Sequence, residues 1–258
     1  MMALYDSIGT GYDSTRRADP YLATRLTAHL EIAQAAAYLD MACGTGNYTT
    51  VVSRNGGQWH GVDLSRRMLT TAQGKGSSVQ WYQADAAALP FPAGLFSGIM
   101  CTLALHHLPA LTPAFQEVRR VLGSGTFVIL TSTAEQMRGY WLNEYFPVAM
   151  ERSIQQMPAL DLIQGSLKEA GFTAVNLETY GVTEDLQDLF LYSGKQRPEI
   201  YLEPNFRKGI STFASLADGD EVENGLRLLE QDIRSGRITQ VMRRFENTGG
   251  DYLFLIAR

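Results

Sequence analysis

Short apolar runs alternate with stretches of helical periodicity over the first half of the chain. The apolar runs are AYLDMAC, WHGVDL, SVQWYQAD, FSGIMCTLAL and TFVILTST, and segments such as SRRMLTTAQ and PAFQEVRRVL separate them. This order of strand, helix and strand is typical of a parallel sheet covered by helices on both faces. Before it, residues 20–36 place leucine or alanine every three or four positions, which predicts an amphipathic helix that Pro20 can begin.

After residue 133 the sequence leaves this rhythm. Residues 134–157 are rich in aromatic side chains and predict a helix that is interrupted near Pro147. TAVNLETY and the C-terminal DYLFLIAR predict two further strands, and residues 181–250 lie between them. Much of that long segment, including DEVENGLRLLEQDIRSG, has apolar residues at helical spacing. The pattern therefore predicts one α/β domain that carries two helical insertions.

Composition narrows the functional classes. The 258 residues carry 22 basic and 27 acidic side chains, and no basic run is present that would hold the phosphate backbone of a nucleic acid. No stretch approaches the roughly 20 apolar residues of a membrane span, and the start of the chain lacks the apolar core of a signal peptide. Two cysteines, Cys43 and Cys101, fit a reducing compartment. We therefore expect a cytoplasmic protein without a nucleic-acid or membrane partner.

The segment YLDMACGTGNYT ends the first predicted strand near Asp40 and begins a helix after Gly46. Glycines between a strand and a helix, here Gly44 and Gly46, let the backbone turn sharply and let a ligand approach closely. A tight turn without a ligand has the same pattern, so this loop alone is a weak signal.

Acidic residues end the first three predicted strands: Asp40, Asp63 and Asp85, roughly 20 residues apart. A carboxylate at the end of the second strand can accept hydrogen bonds from both hydroxyls of a ribose. One at the end of the third strand can meet the exocyclic amine of an adenine. Because buried carboxylates are costly without partners, packing alone does not explain this spacing. The pattern indicates a nucleoside-containing cofactor.

These residues resemble the class I S-adenosylmethionine-dependent methyltransferases, in particular the type 11 group that acts on small molecules. The match covers DMACGTG, GVDLSRRML, QADAAALPFPAGLF, IMCTLALHHLP and EVRRVLGSGTFVI, about the first half of the chain. The resemblance implies S-adenosyl-L-methionine as the cofactor. It also implies a Rossmann-like, seven-stranded, mostly parallel sheet whose last strand is antiparallel. The implied cofactor contacts are Asp40, Ala42, Gly44, Thr45 and Gly46 around the methionine part, Asp63, Leu64 and Met68 at the ribose and adenine, Asp85 and Ala86 at the adenine edge, and Thr102 and Leu103 on the sulfonium side.

Two segments depart from the usual family pattern, and both lie off the inferred cofactor contacts. Phe96-Ser97 stands where such proteins usually have Phe-Asp, and Leu122 to Gly125 replaces a common Pro-Gly-Gly loop. A nicotinamide-dependent oxidoreductase is a remote alternative, because its fingerprint requires a third small residue where this chain has Thr49.

His106 and His107 follow the fourth predicted strand, which places them at the carboxyl end of the sheet. A histidine with a pKa near neutrality suits a general base, which an acceptor hydroxyl or ammonium group needs. Similar small-molecule methyltransferases carry a functional histidine directly before the leucine, which favours His107. The alternative is that one histidine packs against the loop or caps it. No third ligand lies at a useful spacing, so we expect no metal.

The leader repeats a Tyr-Asp pair, Tyr5-Asp6 and Tyr12-Asp13, at a spacing that shares one face of a helix. In methyltransferases with this kind of leader the segment folds over the cofactor, so the resemblance implies that Tyr12 covers the methyl group or pairs with His107. Arg16 and Arg17 are candidates for a carboxylate of the cofactor or the substrate. An aromatic staple beside a solvated arginine pair is the alternative interpretation.

We expect a single methyltransferase domain over residues 1–258, with a leader (1–36), a cofactor-binding core (37–133), helical cap insertions (134–157 and 181–250) and the rest of the core sheet (158–180 and 251–258). The hypothesis is a cap that closes over a small, partly apolar substrate; if residues 181–250 are simply core, their deletion should abolish folding. The predicted function is methyl transfer from S-adenosyl-L-methionine to oxygen, nitrogen or carbon of a small molecule. A catalytically silent cofactor-binding regulatory protein is the alternative. The acceptor and the oligomeric state stay open.

Overall fold

The computed structural model describes Asp13, residues 15–246 and residues 248–258. Tyr5, Asp6 and Tyr12, which the sequence singles out, lie outside the described residues. The strands are β1 (Ala37–Met41), β2 (Gln58–Asp63), β3 (Gln80–Gln83), β4 (Phe96–Thr102), β5 (Leu122–Thr131), β6 (Val175–Tyr180) and β7 (Tyr252–Ala257).

The described helices surround this sheet and form both insertions. The α-helices are α1 (Pro20–Leu30), α2 (Asn47–Val52), α3 (Arg66–Gln73), α4 (Leu111–Val121), α5 (Ala134–Arg138), α6 (Pro147–Gln156), α7 (Leu160–Glu169), α8 (Pro204–Lys208), α9 (Gly219–Ser235) and α10 (Ile238–Arg244). Short 3₁₀ turns include Leu105–His107, Trp141–Glu144 and Pro198–Leu202, and a π turn covers Thr212–Leu216. No described helix is both long and apolar enough to cross a membrane.

The seven strands form one sheet in the order β3-β2-β1-β4-β5-β7-β6. β7 runs antiparallel to both of its neighbours, and the other pairings are parallel. This confirms the predicted seven-stranded, Rossmann-like sheet with an antiparallel last strand. Because β1, β2, β3 and β4 are parallel, their carboxyl ends meet at one edge of the sheet, which is the edge where ligands bind in such folds.

Two hydrophobic clusters cover the two faces of the sheet, because alternate residues of a strand point to opposite sides. Phe127 and Ile129 belong to the cluster that contains the apolar residues of α4 and α7, whereas Val128 and Leu130 belong to the other. That second cluster contains the leucines of α1 and the aromatic residues of both insertions. The insertions therefore share a core with the sheet.

The aromatic residues of the insertions pack against one another in this shared core. Tyr140, Trp141, Tyr192 and Tyr201 are each at most 1% exposed. The rings of Tyr140 and Tyr192 stack with 3.8 Å between their centroids, and Trp141 meets Tyr201 edge-on at 5.3 Å. The helix predicted over 134–157 is interrupted near Pro147, as expected. The 3₁₀ turn Trp141–Glu144 precedes the interruption, and α6 begins at Pro147.

Two local features differ from expectation. The helix predicted over 20–36 ends at Leu30, because Glu31 takes the left-handed conformation with φ of 50° and its N–H closes the last turn on the carbonyl of Ala28. The segment Leu122 to Gly125 is not a loop but the first part of β5. Gly125 is required there, since an added Cβ would lie 1.6 Å from the carbonyl oxygen of Ser97.

Candidate active site

The carboxyl ends of β1 to β4 open into a cavity of about 550 Å³. This volume lies within the roughly 300–1,000 Å³ that sites for cofactors and small molecules span. Twelve of the predicted site residues line it: Ala42, Gly44, Thr45, Asp63, Leu64, Met68, Asp85, Ala86, Thr102, Leu103, His106 and His107. Asp40, Gly46 and Arg17 are not among the lining residues. Tyr12 lies outside the described part of the chain.

The two glycines of the loop after β1 serve different purposes. Gly44 has φ of 55°, and an added Cβ would meet no atom within 4 Å, so the position faces open space at the cavity wall. Gly46 has φ of 70°, and an added Cβ would lie 2.3 Å from the ring of Trp81. Gly44 is thus placed for close approach of a ligand, and Gly46 for packing on a tryptophan of β3 that the sequence did not single out.

Asp63 is held in place by the glycine loop. Its Oδ2 accepts a hydrogen bond from the amide of Gly44 at 2.8 Å, and its Oδ1 accepts one from the amide of Ser65 at 2.8 Å. Asp85 lies further along the same wall, is exposed, and accepts a hydrogen bond from the amide of Ala87 at 2.9 Å. The wall that follows β2 and β3 therefore presents one half-buried and one exposed carboxylate, two hydrogen-bond acceptors that fit the hydroxyls of a ribose and the amino group of a base.

Asp40 lies near the end of β1 and bonds to Thr49 of α2 rather than lining the cavity. The side chain is 1% exposed, and Thr49 donates a hydrogen bond from Oγ1 to its Oδ2 at 2.5 Å. Its Oδ1 is buried without a hydrogen-bond partner among the described residues. Burial raises the pKa of Asp40 to about 7, and the hydrogen bond from Thr49 and the charge of Asp63 act on it less strongly. A direct contact of Asp40 with the cofactor stays a prediction.

Backbone strain also marks the cavity. Ala42 and Leu103 have φ of 57° and 53°, a left-handed conformation that costs a non-glycine residue about 1–2 kcal/mol. Both residues line the cavity, one after β1 and the other after β4. Strain of this kind persists where the surrounding structure imposes it, and it is concentrated at functional sites.

The described part of the leader is bonded to the glycine loop and to the start of α2. Asp13 accepts hydrogen bonds from Thr45 Oγ1 at 2.6 Å and from Asn47 Nδ2 at 3.0 Å, and it pairs with Lys75 at 2.8 Å. Lys75 Nζ also donates to Asn47 Oδ1. The carbonyl of Arg16 accepts a further hydrogen bond from Asn47.

Arg16, rather than Arg17, reaches the cavity. Arg16 donates from Nε and Nη2 to the carboxylate of Asp188 at 2.6 and 3.1 Å, and Tyr48 donates to the same carboxylate at 3.1 Å. Arg17 donates to the carbonyl of Gln187 at 3.2 Å at the surface. Its role toward a carboxylate stays a prediction.

Sequence reasoning missed Asp188 and Gln156, which come from the two insertions and line the same cavity. No local motif marks either residue.

The histidines occupy the 3₁₀ turn Leu105–His107 after β4, with 3.8 Å between their ring centroids. Burial lowers the pKa of His106 to about 3 and that of His107 to about 4, and the positive charge of Arg16 acts in the same direction on both. Both imidazoles are therefore neutral at pH 7. His106 Nδ1 is buried without a hydrogen-bond partner among the described residues. Across that part of the chain, no three His, Cys, Asp or Glu side chains group as metal ligands would.

Comparisons with known proteins agree with this geometry. A family model described as a methyltransferase domain matches residues 39–130. A crystal structure from Anabaena variabilis, assigned as a methyltransferase of an antibiotic biosynthesis pathway, superposes with a TM-score of 0.85 and 31% identity, and the match covers 95% of this chain and 99% of that one. The chain belongs to the S-adenosylmethionine-dependent methyltransferases. The methyltransferase therefore uses S-adenosylmethionine as its cofactor.

Two quinone methyltransferases, so named, are similar to part of this methyltransferase. The 2-phytyl-1,4-naphtoquinone methyltransferase of Thermosynechococcus vestitus is 29% identical over 171 residues, which cover 57% of this chain and 76% of that protein. The demethylmenaquinone methyltransferase of Lactococcus lactis is 25% identical over 171 residues, covering 55% and 68%. Much of the methyltransferase has no counterpart in these alignments, whereas the Anabaena structure matches nearly all of it.

Proposed function

We propose that this methyltransferase transfers the methyl group of S-adenosylmethionine to a small molecule that binds between the cofactor cavity and the helical insertions. The observation that carries the proposal is the composition of one cavity. Gly44, Asp63 and Asp85 line it on the side of β1 to β3, and His106 and His107 line it on the side of β4. A cofactor site and a candidate proton acceptor thus share one space at the carboxyl edge of the sheet.

The residues present fit the cofactor. Gly44 leaves open space where a side chain would otherwise stand, and Asp63 has its carboxylate fixed by two backbone amides. We propose that Asp63 holds the ribose hydroxyls, that Asp85 and Ala86 face the adenine, and that Thr102 and Leu103 lie on the sulfonium side. When bound, S-adenosylmethionine supplies an electrophilic methyl group whose bond to sulfur breaks with its electron pair left on sulfur.

The histidine pair is the candidate for proton transfer. The resemblance favours His107, but His106 also lines a second cavity beside the first, and we assign proton acceptance to His106. An imidazole with a pKa of about 3 is a weak base toward an ordinary alcohol. The pair therefore suits an acceptor whose hydroxyl is itself acidic, such as a phenol or an enol. As the oxygen of that hydroxyl bonds to the methyl group it becomes positively charged and strongly acidic, and His106 accepts its proton at that point. Orientation of that hydroxyl is the other contribution, and alignment of reactants supplies about 7–11 kcal/mol at best.

The names of the two partly matching relatives support an acceptor of this kind. Both are named as methyltransferases of quinones, a phytyl-naphthoquinone and a demethylmenaquinone. We propose a small ring-bearing acceptor of related chemistry.

Calorimetry with S-adenosylmethionine and with its demethylated product tests the first half of the proposal. We expect both to bind, and a lack of affinity for either contradicts it.

His106→Gln and His107→Gln test the second half of the proposal, which concerns proton transfer. We expect both variants to bind the cofactor as the wild type does, and His106→Gln to lose about 10²- to 10⁴-fold in kcat. If only His107→Gln shows that loss, His107 is the base. Cofactor binding without transfer to any acceptor identifies a silent binding protein instead.

A further inference from the structure

A second cavity of about 80 Å³ adjoins the cofactor cavity. Arg16, Leu103, His106 and Gln156 line both cavities, so the second one begins at the histidine pair. We propose that this second cavity binds the methyl acceptor, and that it takes a neutral, largely apolar molecule that carries a hydroxyl or carbonyl oxygen. This inference rests on the proposed function, because it assumes that an acceptor approaches the cofactor from this side.

The walls of the second cavity come mostly from the two insertions. Met137 and Met157 belong to the first insertion, and Phe190, Leu191 and Ile210 belong to the second. The end of the sheet completes the cavity through Thr131, Ser132 and Tyr252. Since both insertions contribute apolar side chains, the segments outside the recognisable sheet select the acceptor.

The charge of the cavity favours a neutral molecule. Among its described lining residues, Arg16 is the single formally charged side chain. The Asp188 carboxylate, whose side chain is 1% exposed, compensates that charge through a contact of 2.6 Å. A phosphate or an amino-acid zwitterion would bring into this space charges for which the wall holds no partner, and burying an unpaired charge is costly. A neutral acceptor avoids that cost.

A buried pair of hydroxyls supplies the polar contact. Ser153 Oγ and Thr212 Oγ1 lie 2.9 Å apart, and their residues are 9% and 2% exposed. Each hydroxyl has one donor and two acceptor positions, so the pair keeps capacity for an oxygen of a ligand after bonding to itself. Ser132 is already engaged by Tyr140 and by the carbonyl of Asp251. Ser153 lies on α6 and Thr212 begins the π turn, so an acceptor oxygen at this pair would contact both insertions.

The size of the cavity limits the acceptor. An apolar cavity of about 150 Å³ holds benzene, and this one has about 80 Å³. By that measure the second cavity alone does not enclose a benzene ring, so a ring at the histidine pair also occupies part of the adjoining cofactor cavity. A single small ring fits this limited space better than a fused one. Met157 and Ile210 form part of its apolar wall, so truncating either side chain should enlarge it and shift the preference toward a larger ring.

The test uses the full-length protein and five probes: catechol, 1,4-naphthohydroquinone, a phytyl-bearing naphthohydroquinone, sarcosine and phosphoethanolamine. Binding is measured by calorimetry on the protein saturated with S-adenosylhomocysteine, and transfer is measured with radiolabelled S-adenosylmethionine. We expect catechol to bind most tightly, the fused ring less tightly and the two charged probes not at all.

Met157→Ala should raise the ratio of kcat/KM for the fused ring to kcat/KM for the single ring at least about tenfold. Leu228→Ala, at an exposed site on α9 that lines neither cavity, is the matched control.

The hydroxyl pair is tested separately. Thr212→Val should weaken catechol binding by about tenfold, whereas Thr212→Ser should keep it. Binding of sarcosine or phosphoethanolamine in preference to catechol overturns the inference, as does an unchanged ring preference in Met157→Ala. Binding of the neutral probes without transfer supports the cavity as an acceptor site and contradicts the proposed catalysis. A protein that binds no S-adenosylmethionine contradicts the proposed function itself.

Discussion

The cofactor side and the acceptor side of the active site are built from different kinds of sequence. On the cofactor side, Asp63 ends β2 and Asp85 follows β3, and parallel pairing brings these strand ends together. On the acceptor side, Arg16, which lines both cavities, is held by Asp188 across 172 residues of sequence. The first arrangement follows from the order of strands alone, and the second exists only when the leader and the insertions have packed. The geometry of the cofactor side is therefore determined by the sheet, whereas that of the acceptor side depends on the packing of the insertions.

Deletion of residues 181–250 is the most drastic way to separate the two sides. The aromatic residues of this segment share a hydrophobic cluster with α1 and with Phe254 of β7. We therefore expect the shortened chain to lose cooperative unfolding in urea, rather than to fold and keep cofactor binding. Circular dichroism and calorimetry distinguish these results. A folded, cofactor-binding deletion protein would show instead that the segment is an independent cap.

Asp188→Asn replaces one carboxylate oxygen by an amide nitrogen, which removes the negative charge that Arg16 of the leader contacts in the second insertion. Removing one partner of a buried ion pair costs about 3–5 kcal/mol, because the other charge remains buried. Arg16 has a side-chain exposure of 13%, so we expect a loss of unfolding free energy near the lower end of that range. Urea unfolding measures it, and acceptor kcat/KM should fall as well. Asp185→Asn, at an exposed aspartate of the same segment, is the matched control and should leave both quantities unchanged.

The two loop glycines separate cofactor binding from stability within the cofactor side. Gly46→Ala places a Cβ against Trp81 and in the left-handed region, so we expect a loss of about 2–4 kcal/mol in unfolding free energy. Gly44→Ala meets no neighbouring atom, so it should cost only the backbone strain of about 1–2 kcal/mol. Its methyl group stands at the cavity wall, and we expect cofactor affinity to fall at least about tenfold.

Thermal unfolding and calorimetry on both glycine variants measure these effects. Trp81→Leu should relieve part of the cost of Gly46→Ala in a double-mutant cycle, because it removes the ring that the new Cβ meets. Equal losses of affinity in Gly44→Ala and Gly46→Ala would show that the two glycines do not have separate roles.

The difference between the two sides also explains what the sequence could predict. The seven-stranded sheet with its antiparallel β7 was predicted from the resemblance to the methyltransferase family. The cavity residues at the strand ends were predictable because strand order determines which residues share an edge. Asp188 and Gln156 were not, since neither lies in a motif and both reach the cavity through the packing of insertions. Arg16 and Arg17 are neighbours in sequence, and only the path of the leader decides which one faces inward. Trp81 was missed because its contact with Gly46 depends on how β3 lies against the loop.

Asp40→Asn tests how the buried carboxyl group of Asp40 changes the pH dependence of the unfolding free energy. The pKa of Asp40 is raised from 3.8 to about 7 by burial. A group whose pKa is raised on folding stabilises the folded state at low pH, and that contribution is lost as the pH rises toward the folded pKa. Between pH 5 and pH 7 the wild type should therefore lose about 2 kcal/mol that the variant keeps. Thr49 can still donate to the amide oxygen of the variant, so the loop should be retained. The urea midpoint of the variant minus that of the wild type should therefore rise from pH 5 to pH 7. A constant value would mean that Asp40 is already ionised in the folded protein at pH 5.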